Sequence, residues 1–373
     1  LFYCLVIGRL QVGKHHFGAL GQKTLDAGQA DASQAARYQA ELGQPDPALA
    51  ERAAARLATA GRRANDRLDG RAALALLTRA VALLRPLRFD LALELEAASA
   101  NEWDPRAAAR AADAVAERAE DAGDRSGAML ARAMSLLLRT YSGDISATDE
   151  WEELCRAALP DEEERDDPRR LALLWELLAH AAHNRMQLDD AVDAFERALR
   201  YRRLAGDSPS GMGFDWSLIL GPRPADEGLQ MLDELAVGRP PGAADLGRAV
   251  LLAMLGRTDE AWPLAEARSD HLREVGGGWW VGEEYLAVIA MIEGDRQRAC
   301  RHHTELIDAA PAGSDGVAAS YRLILARDLC YLGRLEEAEP LLRQAQAVAA
   351  GPVERALAPC VEALLLARLL RGE

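Results

Sequence analysis

The apolar positions of residues 173–200 fall into two helical stripes separated by a polar break. In LLWELLAHAAHNRMQLDDAVDAFERALR, Trp175, Leu178, Ala179 and Ala182 recur at three- and four-residue spacing, which predicts one face of a first helix. Met186 to Asp190 read as a short polar turn, and Ala191, Phe195 and Ala198 share one face of a second helix. The alanines let two antiparallel helices approach closely, while Trp175 and Phe195 fill the space beside that contact. One such pair leaves apolar surface uncovered and needs a neighbour.

The turn followed by an alanine-led second helix recurs as GRTDEAWPLAEA, GDRQRACRHHTEL and LGRLEEAEPLLRQA, with a weaker copy in PADEGLQMLDEL. The small residue that marks each copy is Ala191, Gly228, Ala261, Ala299 or Ala338, at intervals of 37, 33, 38 and 39 residues. Looser copies lie around Ala73 and Ala108, and WEELCRAAL at Trp151 reads as another second helix. Pro and Gly cluster between pairs (SPSGMG, GPRP, GRPPG, EVGGG, APAGS) rather than inside them. A period in the thirties, each one helix–turn–helix, is the signature of tetratricopeptide-type arrays, in which stacking supplies the cover that one pair lacks. No alternating strand pattern follows residue 30. The expected fold is all-α, an α-solenoid of tetratricopeptide-like antiparallel helix pairs over residues 31–373.

Composition changes the picture at the N-terminus. Both lysines, Lys14 and Lys23, lie in a stretch with no acid before Asp26, so residues 1–30 read as a separate, unassigned leader. Its apolar run, Leu1 to Ile7, is too short for a membrane span and lacks the basic start and cleavage site of a signal peptide. The opening Leu reads as that of a fragment or processed product. A formal net charge of −15 over the chain would repel a phosphate backbone, so direct nucleic-acid binding is not expected, nor is a membrane. Five cysteines without a C-x-x-C pair read as small buried thiols of a reducing cytoplasm. At the other end, VERALAPCVEALLLARLLRGE reads as a first helix without its second, a truncated repeat. Val361, Leu364, Leu365 and Leu369 would then lack cover and favour self-association.

The run AARYQAELGQPDPALAERAAARLATAGRRANDRLDGRAALALLTRAVALL resembles the junction of actinobacterial signalling ATPases, with further likeness in ILGPRPADEGLQMLDEL and GGWWVGEEYLAVIAMIEGDRQRA. In that family an AAA/STAND-type nucleotide-binding module precedes a long tetratricopeptide region, and many members carry an adenylate/guanylate cyclase domain at the front. The resemblance spans about residues 33–373. It implies a non-catalytic sensor or scaffold region that binds a protein, peptide or small effector, or its own ATPase and output domains, in the cytoplasm. The alternatives are part of an ATP-dependent transcriptional regulator of LuxR or activator type, and a P-loop nucleotide hydrolase.

The hydrolase alternative rests on Gly8, Gly13 and Lys14, which spell G-x-x-x-x-G-K after an apolar run. A working loop holds Mg²⁺ with Ser or Thr after the lysine, and His15 stands there instead. The array also starts too soon to leave room for a sheet. No cofactor is expected. His180 and His183 sit three apart on the first helix, but no third ligand segment such as HExxH accompanies them, so no metal is expected either. Glu176, His180, His183 and Asn184 share a face away from the packed stripe and are the candidate groove residues, pH-sensitive if the histidines titrate near 6.5. His302 and His303, adjacent on a second helix, point apart. Trp279 and Trp280 read as staples between repeats. The acidic run DEEERDD (161–167) reads as a solvated linker that complements a helix N-terminus. No catalytic arrangement emerges.

Overall fold

A computed structural model describes residues 46–66, 69–100, 104–140, 147–207, 213–236, 242, 244–274, 279–309, 315–348 and 352–371. Among them are seventeen helices and no strand. In chain order these are α1 Pro47–Asp66, α2 Gly70–Leu84, α3 Leu91–Ser99, α4 Pro105–Asp121, α5 Arg125–Thr140 and α6 Thr148–Arg165. Then come α7 Pro168–Asn184, α8 Leu188–Leu204, α9 Phe214–Leu220, α10 Ala225–Ala236, α11 Asp245–Met254 and α12 Thr258–Glu274. The last five are α13 Trp279–Glu293, α14 Arg296–Ala309, α15 Asp315–Tyr331, α16 Leu335–Gln346 and α17 Pro352–Arg371. The leader, including Gly8, Gly13, Lys14 and Cys4, lies outside the described residues.

Consecutive helices pack as antiparallel pairs that stack on the next pair, so the chain is an all-α solenoid. The marker residues explain the spacing: Ala73, Ala108, Ala191, Ala261, Ala299 and Ala338 are all fully buried in even-numbered helices. At these points two helix backbones meet with only a methyl group between them. From α3 onward the odd-numbered helices also touch one another (α3 with α5, α5 with α7, α9 with α11, α11 with α13, α15 with α17). No two even-numbered helices among the described residues share a comparable contact. Helices that crowd lie on the inside of a curve, so the odd row is the inner row.

Aspartates start several first-half helices. Asp69, Asp90, Asp104 and Asp167 each accept a backbone N–H of the first turn, which satisfies donors the helix leaves unpaired. Trp151 of α6 is buried, and its indole N–H donates to the Leu177 carbonyl at 2.9 Å, which staples α6 to α7. The turn inside four pairs is built alike. Met186, Gly256, Gly294 and Gly333, each five residues before its marker alanine, take left-handed backbone with φ of 61°, 75°, 87° and 73°. At Met186, Gly256 and Gly333 the next N–H then reaches back into the helix at 2.9 Å (Gln187 to Ala182, Arg257 to Leu252, Arg334 to Leu329).

Two sequence expectations change. The run 161–167 is not a solvated linker: α6 continues through Arg165, and Glu162 is buried with Ser126 and Arg170 on its carboxylate at 2.6 and 2.5 Å. Arg170 also reaches Asp124 at 2.6 Å, and these partners are what let the acid leave water. In α17, Val361 and Leu365 are covered, whereas Leu366, Leu369 and Leu370 are exposed. Cys155, Cys300 and Cys330 are buried free thiols, and Cys360 is exposed.

Candidate binding surface

The inner row carries two polar assemblies of different kinds. In the first half, α3 touches both α5 and α7, so three inner helices close on one another. Ion pairs join the helices there. Arg62 of α1 donates to Glu96 of α3 at 2.8 Å and to Asp207, just past α8, at 3.3 Å. Arg169 of α7 holds the same Asp207 at 2.9 Å, and Arg202 of α8 holds Glu176 of α7 at 2.5 Å. Three arginines meet three carboxylates. Burial raises the Glu96 carboxyl above its ordinary range, with Arg62 opposing the rise.

The four candidate groove residues lie at the edge of this assembly, and each is engaged. Glu176 is taken by Arg202. His180 is half-buried with its ring edge-on to Phe195 at 5.2 Å, and its pKa falls to about 4 through burial. His183 is buried, and its Nδ1 lies 2.7 Å from Ser217 Oγ of α9. Ser217 in turn donates to the Gly213 carbonyl at 2.9 Å. Burial takes the His183 pKa to about 3, with His180 adding to the drop. Asn184 donates to Thr148 Oγ1 at 3.4 Å. Both histidines are therefore neutral at physiological pH, and the expected titration near 6.5 does not hold. The reason is packing: α7 is covered by α8, by α5 and α6, and at its end by α9 through Ser217, and Gly213 just before α9 fits close to the His180 and Phe195 rings only because it has no side chain.

The second half presents a cluster that no sequence motif announced. Tyr285 of α13 donates its hydroxyl to Asp215 of α9 at 2.5 Å, and its ring packs on Trp216 at 4.7 Å. The bond crosses α11, where Gly247 makes room: a Cβ there would lie 2.7 Å from the Asp215 Cβ. Glu284, next to Tyr285, is 1% exposed, neither carboxylate oxygen makes a well-aligned hydrogen bond, and the nearby Tyr321 hydroxyl opposes the effect of burial on its carboxyl. Tyr321 of α15 stands beside it and is likewise buried. Burial raises the Glu284 carboxyl well above its ordinary range, and the Asp215 charge pushes the same way. Tyr285 is also raised, by burial and then by Asp215. Among the described residues no basic side chain is a leading influence on Glu284 or Tyr285.

His302 and His303 do point apart. His302 Nδ1 lies 2.6 Å from Glu283, whereas His303 is buried against Tyr321 with a pKa lowered to about 3 by burial. On the outer side, a groove of about 570 Å³ between α14 and α16 is floored by Cys300, Leu325 and Leu329. Burial pushes the Cys300 thiol up to about 11, so it is an unreactive wall. Among the described residues no group of three His, Cys, Asp or Glu could hold a metal ion. None of the described helices is long and apolar enough to cross a membrane.

No family model matches the chain, and no curated protein matches it. Solved structures do. The crystal structure of the APC/C hetero-tetramer Cut9–Hcn1 superposes with a TM-score of 0.50 at 12% identity over 79% of this chain. The match spans about half of that structure's chain, 53%. A monomeric IFIT1 mutant with m7Gppp-AAAA is matched over 88% of this chain and 68% of its own, with 14% identity and a TM-score of 0.34. The Cut9 likeness agrees with the solenoid read from helix order.

Proposed function

We propose that this chain is the non-catalytic sensor or scaffold region of a larger signalling ATPase, with its inner row as the surface that takes a protein or peptide partner. The carrying observation is the inner row itself, a row of odd-numbered helices with polar chemistry on it and, among the described residues, no catalytic arrangement beside it. Glu176 and His180 form one wall of that surface, with His183 and Asn184 behind them as its support. The resemblance to cyclase-linked AAA/STAND regulators supplies the rest of the reading: the array acts in the cytoplasm and restrains or releases an attached nucleotide-binding module and its output domain. The exposed Leu366, Leu369 and Leu370 of α17 add a site for self-association.

The test is ATP hydrolysis by the parent protein with and without residues 46–371. A change of severalfold in rate on removal supports regulation in cis, and an unchanged rate overturns it. The second reading, a hydrolase using Gly8, Gly13 and Lys14, predicts ATP binding by this chain alone that Lys14→Ala abolishes.

A further inference from the structure

Carboxyl groups removed from water normally find a donor or a counter-charge, because an unpartnered one costs several kcal/mol. The first half obeys this rule throughout, with an arginine on Glu96, Asp207, Glu176 and Glu162. Glu284 breaks it. Neither oxygen has a well-aligned donor or a counter-charge: the phenol of Tyr321 beside it favours the charged form, and another acid, Asp215, opposes it. Tyr285 adds a second phenol, already committed to Asp215, with the Trp216 ring on its face. The charged and titratable groups around the cluster are thus Asp215 from α9, Tyr285 from its own helix and Tyr321 from α15, with His303 of α14 neutral behind Tyr321.

The helix spacing widens at this place. Inner helices α11 and α13 pack together, as do α15 and α17, but α13 and α15 share no comparable contact among the described residues. Glu284 and Tyr321 face each other across that wider step. Asp215 is only half-buried, so the cluster has an acidic entrance and a buried acidic end. Two carboxyls, two phenol oxygens and an aromatic face are the chemistry that recognises an organic cation, through charge-assisted hydrogen bonds and cation–π attraction.

We propose that Asp215, Glu284, Tyr285 and Tyr321 form a binding site for one aliphatic organic cation, a guanidinium or primary ammonium head entering past half-buried Asp215 and lodging between α13 and α15. This deepens the reading of the inner row as a binding surface and rests on it. The head group reaches the site either as a free small amine or as an Arg or Lys side chain of the partner. On binding, Glu284 loses its proton to solvent, the cation hydrogen-bonds the freed carboxylate, and Asp215 stays ionised.

Titration calorimetry with n-butylguanidinium, n-butylammonium and the peptide Gly-Arg-Gly tests the site, with n-butanol and Gly-citrulline-Gly as neutral controls. Saturable binding of a cation, no binding of its neutral control, and proton release seen as a dependence on buffer ionisation heat are expected. Affinity should strengthen by up to about tenfold per pH unit while Glu284 must still be deprotonated. Glu284→Gln, which keeps the shape and removes the charge, should weaken binding by about tenfold or more, and Tyr321→Phe by less. Binding of all cations assigns the head group alone, and binding of the peptide only assigns a partner's side chain. Either outcome supports the site. No saturable cation binding at about 10 mM, or equal binding by folded Glu284→Gln, overturns it. The ATPase comparison on the parent protein is unaffected by that failure, so the wider reading stands or falls separately.

Discussion

The two halves of the array share one helix-pair plan and differ in what they bury on the inner row. In α1–α8 every buried acid has an arginine, and the ion pairs run between helices far apart in sequence, Arg62 to Asp207 across 145 residues. In α9–α15 buried Glu283 and Asp328 also have arginines, but Glu284 is buried beside Tyr285, Tyr321 and half-buried Asp215, and no basic group among the described residues balances it. A compensated network fixes geometry, since three inner helices are tied into one arrangement. An uncompensated one leaves a free-energy deficit that a ligand can relieve. The first half is therefore the rigid joint, and the second is where binding energy is available.

Breaking the compensation in the first half should produce the largest effect. Arg170 neutralises Glu162 and Asp124 in a buried position, so Arg170→Ala leaves buried Glu162 without its close cation, while Asp124 keeps only the partly exposed Arg165 at 3.0 Å. We expect a loss of about 3–5 kcal/mol, read as a lower midpoint in urea denaturation. A loss below about 1 kcal/mol would mean that water reaches Glu162 and that the halves are not so different.

Stability against pH sharpens the contrast next. His180 and His183 have folded pKa values of about 4 and about 3, below the ordinary 6.5. Between those values the unfolded chain binds more protons, so stability falls as pH drops below about 6.5, by up to about 1.4 kcal/mol per pH unit per histidine. His303 adds the same acid-side loss to the second half, so acid alone does not separate the halves. On the alkaline side both Glu96 of α3 and Glu284 of α13 are raised, but Glu284, raised well above its range with no basic neighbour, carries the larger loss. Glu284 is raised in the fold, so its contribution is fully present below the ordinary glutamate pKa and is lost as pH rises toward the folded value. Hydrogen exchange at pH 8 against pH 6, each corrected for intrinsic rate, should show α13 and α15 loosening more than α3 to α7. Glu284→Gln should remove that difference. A pH-independent pattern in the unmodified protein would overturn the account of Glu284.

How much of this was legible beforehand follows from the kind of signal each feature leaves. The pairs were legible because close helix approach demands a small residue at a fixed phase, and Ala191, Ala261, Ala299 and Ala338 recur at that phase. The burial of His183 was not, because a helical wheel of α7 alone cannot show that α9 covers its end. Glu162 was hidden for a related reason: inside DEEERDD nothing distinguishes the one acid that meets Arg170 from its solvated neighbours. The cluster at Glu284 escaped notice because its members come from α9, α13 and α15 and share no spacing. Its one local sign was a charged residue inside the apolar run of GEEYLAVIAMI.

An intermediate effect is expected from loosening the first-half tie without burying a lone charge. The arginine side chains at Arg62 and Arg169 are partly exposed, so the Arg62–Asp207 coupling should be modest, up to about 1 kcal/mol. A double-mutant cycle of Arg62→Ala and Asp207→Ala measures it, and raising salt should reduce it. Zero coupling at low salt would leave the α3–α7 contact to packing alone.

The smallest effect is expected at one turn. Glycines supply the left-handed residue at turns in both halves (Gly123, Gly206, Gly256, Gly294 and Gly333), whereas Met186 supplies it between α7 and α8, at φ 61°. A side chain in that conformation costs about 1–2 kcal/mol relative to right-handed backbone, a cost glycine avoids. Glycine also loses more backbone entropy on folding, by about 0.5–1 kcal/mol. Met186 is 46% exposed, so removing its side chain forfeits only part of its burial. The balance favours Met186→Gly by about 0.5 kcal/mol, and the reverse change, Gly333→Met, should destabilise by about 1–2 kcal/mol. Both are within reach of urea denaturation in parallel with the unmodified chain. If Met186→Gly destabilises instead, the methionine is contributing packing across the α7–α8 turn that outweighs its strained backbone, and that turn would be one more place where the first half is held by contacts the second half lacks.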